Sequence, residues 1–140
     1  MDSRCRGNDN IMEIKVELSR IIIDETSEQQ VIVLKEKNGV RTLPIVIGIV
    51  EIMAIDRRLK GITTIRPLTH DLLGNVIESL GANIEKVVVS DLKNHTYYAT
   101  IHLSVNGKKV EVDSRPSDAI AIAASSDVPL YVAEHVFEKI

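Results

Sequence analysis

Two stretches of this chain repeat the same residue types in the same order. One is Arg66-Pro67-Leu68-Thr69-His70-Asp71, the other Arg115-Pro116-Ser117-Asp118. Each sets an arginine just ahead of a helix start, a hydroxyl residue beside it and an aspartate in the first turn. The free N–H groups and positive dipole end of a helix favour anions, and an arginine fork fits a phosphate. A carboxylate beside such a site can hold a divalent cation or orient a water, and a histidine can move a proton. These are the parts a phosphodiesterase needs: Arg66 and Arg115 on phosphate, Asp71, Asp113 and Asp118 on a metal such as Mg²⁺ or on water, His70 as the acid–base group. A plainer use exists, because a first-turn aspartate stabilises any helix by ~0.3–1 kcal/mol.

Asp113, Arg115 and Asp118 lie within six residues at a strand-to-helix junction, where side chains gather at one end of a sheet. Asp113 and Asp118 are the candidate metal carboxylates, with a local Arg–Asp ion pair as the alternative. The other histidines offer less. His95 falls in a turn, His102 faces Glu111 on a polar strand face, and His135 is near the C-terminus. No HxH or HExxH spacing occurs. GxGxxG, GxxxxGK[ST], GxSxG and CxxC are absent as well, so dinucleotide binding, P-loop hydrolysis and serine-hydrolase chemistry have no support.

The elements that must position these residues follow from hydrophobic period and turn chemistry. Residues 12–23, 30–37 and 40–47 read as strands, the last two joined at Asn38-Gly39 by a type I′ turn that pairs Leu34 with Leu43 and Ile32 with Ile45. Pro44 makes the third strand an edge or kinks it. A helix over 49–60 carries Ile49, Ile52, Met53 and Leu59, and Gly61 stops it. Thr69 is the expected N-cap of a second helix, 70–80, whose stripe is Leu72, Leu73, Val76, Ile77 and Leu80. Strands follow at 83–92 and 96–105, and Asn106-Gly107 turns the chain back so that Leu103 meets Val110 and Ile101 meets Val112 on the core face. Pro116 opens a third helix, 116–126. A short strand at 130–133 and a helical turn at 134–140 complete the order βββ-α-α-βββ-α-β-α. Hairpins dominate, so the fold is a single α+β domain with a mixed, largely antiparallel sheet and helices packed on it.

Composition bounds what such a domain can be. Hydrophobic residues make up 44% and charged residues 26%, enough for a core in a 140-residue chain. Aromatics are only 3%, which excludes a surface that binds single strands by aromatic stacking. The net charge of −3 argues against tight non-specific nucleic-acid binding. Its distribution is uneven: residues 57–66 hold four basic groups and no acid, while 111–140 hold six acids against Arg115 and Lys139. Cys5 stands alone, and no apolar run reaches ~18 residues. These features fit a cytoplasmic protein. The polar leader, residues 1–11, reads as disordered or extended upstream sequence, with the domain spanning 12–140. Strands 31–34, 43–47 and 87–89 are apolar on both faces, which predicts a homodimer that covers part of the sheet or an edge.

LPIVIG (43–48), Glu51, Ala54-Ile55, RPLTHDLL (66–73), VDSRPSDAIAIA (112–123) and PLYVAEHVF (129–137) together resemble the bifunctional nuclease domain family. The resemblance covers nearly the whole chain from Met12 to Phe137. It implies a compact α+β domain, often dimeric, with nuclease activity on DNA and RNA. The motif positions that match are Glu51, Arg66, His70, Asp71, Asp113, Arg115, Ser117 and Asp118. Ser114 stands where the family often has alanine, and Val46 where an aromatic is common. Two other readings remain open at this point. One is a non-enzymatic, dimeric binding or regulatory domain that recognises a phosphate-bearing ligand; the other makes both arginine stretches structural keystones. Convergence of the two stretches in one cleft favours a shared site, and placement on opposite faces favours capping alone.

Overall fold

The structure is a computed structural model that describes residues 12–24, 26, 29–62 and 65–140. The expectation for the leader lies outside the described residues. The elements are β1 (Glu13–Ile22), β2 (Gln29–Glu36), β3 (Thr42–Gly48), α1 (Ile49–Leu59), α2 (Thr69–Ser79), β4 (Ala82–Lys93), β5 (Thr96–Val105), β6 (Lys108–Ser114), α3 (Pro116–Ser126), β7 (Leu130–Ala133) and α4 (Glu134–Glu138). This is the α+β order that the hairpin and helix patterns predict.

Among the described residues one seven-stranded sheet runs β3-β2-β1-β7-β4-β5-β6. Its two halves are antiparallel meanders, β1–β3 and β4–β6. The late strand β7 inserts between them, antiparallel to β1 and parallel to β4. The crossover through α3 thus closes the sheet at its centre. Pro44 lies on β3, which is an edge strand, where its missing N–H costs no ladder bond.

The sheet curls strongly. β5 and β3 are separated by four strands, so a flat sheet at ~4.8 Å per strand would hold them ~24 Å apart. Instead the Tyr97 hydroxyl donates to the Pro44 carbonyl at 3.3 Å. The inner face carries Leu34, Ile45, Val87, Val89, Ala99 and Ile101, which pack with Ile52 and Ile55 of α1, Ile120 and Ile122 of α3, and Val136 and Phe137 of α4. Small alanines on α3 let that helix sit close to the largely aliphatic sheet face.

Several local expectations need correction. The β2–β3 register is as read, Leu34 opposite Leu43 and Ile32 opposite Ile45, but neither Asn38 nor Gly39 has positive φ, so the turn is not type I′. Lys37 leaves the hairpin to bond the Lys15 carbonyl of β1 at 3.0 Å, which widens the turn. A Cβ at Gly39 would meet the Glu36 carboxylate, the movable end of a side chain that would have to swing aside. Asn106 (φ 52°) and Gly107 (φ 81°) do form the tight turn, and Asn94-His95 makes another with φ 50° and 62° and no glycine. The N-cap of α2 is Leu68, not Thr69, because the Asp71 side chain accepts the Leu68 N–H at 3.3 Å. No residue of α2 is fully buried: Leu72, Leu73 and Val76 remain exposed, as does Leu80 just past its end. On α1 the buried pair is Ile52 and Ile55, while Ile49, Met53 and Leu59 face outward. Val110 and Val112 have the expected partners but stay exposed on edge strand β6, beyond the cover of the helices.

A candidate active site where three helix starts meet

The first turns of α1, α2 and α3 come together. Glu51 is the third residue of α1, His70 the second of α2 and Asp118 the third of α3, and Arg115 is the N-cap of α3. Three positive dipole ends therefore share one locality, with acidic side chains where a helix start favours them. Pro116 fixes the first turn of α3 and thereby sets where Arg115 and Asp118 project.

A continuous network links the three helices. His70 Nε2 lies 3.1 Å from Asp118 Oδ1. Arg115 Nε donates to Asp118 Oδ2 at 2.9 Å, and its NH2 nitrogen donates to Glu51 Oε1 at 3.0 Å. Partial burial pushes the Asp118 carboxyl up, but hydrogen bonds from Arg115 and His70 outweigh it and hold the group below its ordinary value. The guanidinium of Arg115 is raised, chiefly by its bond to Asp118. The side chains of His70 and Glu51 are each 14% exposed and that of Arg115 68%. The network is thus anchored inside and presents an arginine outside.

Beside it lies a cleft of about 280 Å³ walled by α1, α2 and α3, with His70, Asp71, Arg57, Arg58, Asn75 and Ser125 among its polar lining. A more apolar groove of about 360 Å³ adjoins it through Ala54, Arg57, Leu68 and His70. His70 therefore stands at the junction of the two. Close contact of α2 with α3 is permitted by Gly74, whose added Cβ would lie 3.0 Å from the Ser126 hydroxyl.

The two arginine stretches converge rather than sit on opposite faces. His70, Asp118 and Arg115 form the network, and Asp71 lines the cleft while capping α2. Arg66 is exposed in the linker ahead of α2 and has an interaction of its own. Asp113 does not join them. It pairs opposite Thr100 on the outer sheet face, two residues along from the Glu111–His102 pair, whereas the helices cover the face of Ala99 and Ile101. Its place on alternate pleats decides this: one residue sets the face, and the helices occupy the other. Ser117 is buried in the first turn of α3. Glu51 gains a role that spacing could not assign, as the α1 anchor of Arg115; its signal was a first-turn acid. Ser125 and Asn75 carry no signal in the sequence.

The donor set does not fit a resident divalent ion. Both Asp118 oxygens are engaged, Glu51 is bound to Arg115, and Asp113 is on the other face. Among the described residues no three of His, Cys, Asp and Glu gather as ligands.

Comparison with known proteins agrees with this architecture. Residues 32–140 match the family model of the bifunctional nuclease domain. An uncharacterised protein of Mycobacterium tuberculosis is 39% identical over 125 residues, 89% of this chain and 74% of that protein. Bifunctional nuclease 2 of Arabidopsis thaliana is 29% identical over 109 residues, 75% of this chain but 33% of that protein. Bifunctional nuclease 2 of Oryza sativa subsp. japonica is 29% identical over 114 residues, 79% of this chain and 35% of that protein. The chain thus spans about a third of each plant relative. With the model matched across both arginine stretches, and the fold and the meeting of the helix starts in place, the chain belongs to the bifunctional nuclease domain family.

Proposed function

We propose that the chain hydrolyses phosphodiester bonds of DNA, RNA or both, with His70 as the acid–base group. The observation that carries this reading is the His70–Asp118–Arg115 network at the mouth of a cleft lined by arginines. Asp118, held ionised, accepts the Nε2–H of His70 and leaves Nδ1 as the basic nitrogen. That nitrogen takes a proton from the attacking water. Arg115 uses two of its nitrogens on Glu51 and Asp118 and keeps NH1 for a phosphate oxygen. Arg57 and the clustered helix starts add positive potential where charge grows in the transition state. The names of the plant relatives support the substrate class.

Homodimerisation and a cytoplasmic location belong to the same proposal. No helix among the described residues is long and apolar enough to cross a membrane. Exposed apolar side chains on α2 and on the outward side of α1 are the surface we assign to pairing, ahead of Val110 and Val112 on edge strand β6.

The test uses purified protein, single-stranded RNA and DNA oligonucleotides, and arms with Mg²⁺ and with chelator. His70→Ala and Asp118→Asn should each lower kcat by about 10²-fold or more, with thermal melts close to wild type. Cleavage that is unchanged in both folded variants overturns the reading. Variants that simply unfold assign the network to structure instead.

A further inference from the structure

Arg115 is held by carboxylates from two different helices. Its Nε donates to Asp118 Oδ2 at 2.9 Å and its NH2 nitrogen to Glu51 Oε1 at 3.0 Å, so one edge of the guanidinium bridges α1 and α3. The remaining oxygens of the pair also face protein atoms. Asp118 Oδ1 lies 3.1 Å from His70 Nε2, and Glu51 Oε2 is lodged against Gly48, where an added Cβ would be 3.1 Å from it. Asp71 spends one oxygen on the Leu68 N–H at 3.3 Å and keeps the other, in a cleft whose lining also holds Arg57 and Arg58. Each helix start adds about half a positive charge. Glu51, Asp118, Arg115 and the three starts therefore sum close to neutral, and the cleft beside them carries two guanidinium groups against one carboxylate.

In metal-assisted hydrolysis a cation neutralises protein carboxylates on one side and grips a phosphoryl oxygen on the other. The Arg115 guanidinium has both faces of that role. One edge meets Glu51 and Asp118, and NH1 remains on a side chain that is 68% exposed. We infer that Arg115 does the work of a divalent cation at this site, bridging Glu51 and Asp118 to a substrate phosphate, so that hydrolysis proceeds without a metal. The inference rests on the hydrolytic reading and names what supplies the positive charge there. The water oxygen bonds to phosphorus as the bond from phosphorus to the leaving oxygen breaks. The water's proton goes to His70 Nδ1, the leaving oxygen takes a proton from solvent, and His70 returns its own to solvent. Arg115 stays charged throughout, because a guanidinium does not lose its proton in a protein.

The full chain is assayed on single-stranded RNA and DNA with Mg²⁺ and with chelator, and titrated by calorimetry with inorganic phosphate in both conditions. Turnover and phosphate affinity should each be the same in the two arms. Arg115→Ala should lower turnover by about 10²-fold or more and weaken phosphate binding at least about tenfold. Millimolar guanidinium ion should then raise the variant's turnover at least about tenfold, since it can enter the vacated place and supply the missing charge. A role in folding alone shows no such rescue. Turnover or phosphate binding that disappears in chelator overturns the assignment and hands the cation to Asp71 and the substrate. A folded Arg115→Ala with unchanged phosphate affinity, or with no rescue, overturns it as well. Should Arg115→Ala melt early, the two wild-type arms decide. The two proposals separate cleanly. Phosphate binding that is equal in both arms and lost in Arg115→Ala, but with no turnover, sinks hydrolysis and keeps Arg115 as the cation. Turnover that needs Mg²⁺ keeps hydrolysis and sinks this assignment.

Discussion

At the scale of single residues, the clearest electrostatic anchor outside the site is Asp91. Burial pushes its carboxyl up, but the Lys139 ammonium, the Leu92 N–H and the charges of Lys139 and His135 bring it down to about 2 from 3.8. A carboxyl depressed in the folded state stabilises at pH above its unfolded value and loses that contribution as pH falls through the folded one. The window here is about pH 4 down to about pH 2. The side chain is 25% exposed, so screening reduces the worth of the shift to about 1 kcal/mol. Asp91→Asn is expected to lower stability by about that amount at neutral pH, and the gap from wild type should close near pH 2 in denaturant melts. A constant gap across that range removes Asp91 from the acid response. Asp118 obeys the same sign, with burial opposed by Arg115 and His70. Protonating it on the acid side releases both partners at once, so acid should disable the site.

At the scale of elements, the site depends on how closely α2 approaches α3. A Cβ at Gly74 would lie 3.0 Å from the Ser126 hydroxyl, and the same packing puts His70 within reach of Asp118. Gly74→Ala adds helix propensity of ~1 kcal/mol and needs only a small rotation of the Ser126 hydroxyl, so stability should hold. Gly74→Val places branched carbon against that hydroxyl and pushes the helices apart. The expected outcome is a folded protein whose kcat falls while its sheet signature by circular dichroism stays intact. Full activity in Gly74→Val removes helix approach as the positioning device. The sheet arranges its own strictness differently. Asn106-Gly107 and Asn94-His95 supply the positive φ of tight hairpins, whereas the β2–β3 connection gives up that geometry for a bond to β1.

At the scale of the whole molecule, α4 joins the two meanders. Arg41, just ahead of β3, bonds Glu36 and Glu134 and lies 4.6 Å over the Phe137 ring, while Lys139 and His135 reach Asp91 on β4. The short C-terminal helix thus holds both halves of a sheet whose seam is β7. The apolar excess lies elsewhere. Val33 and Val88 of the outer sheet face are buried within one chain, whereas α2 has no fully buried residue and exposes Leu72, Leu73 and Val76, and α1 exposes Val50 and Met53. Exposed apolar side chains gathered on one helix mark an interface. Light scattering at micromolar concentration should give a dimer mass for wild type and a monomer for Leu73→Asp. A monomeric wild type excludes pairing through α2.

The sequence by itself determined the order of the elements, the hairpin registers and the residue types at the two helix starts, because turn chemistry, strand alternation and capping are local and act over a few residues. It also identified His70, Arg115 and Asp118 as chemically apt. Only the tertiary structure decided which of these meet. The central insertion of β7 carries α3 back over the sheet, and the resulting packing brings the start of α1 onto Arg115 and that of α2 onto Asp118 while the pleat turns Asp113 to the far face. Glu51 entered the same way, through a contact with Arg115 far along the chain. Such contacts depend on the summed placement of whole helices, a long-range quantity that no local periodicity encodes.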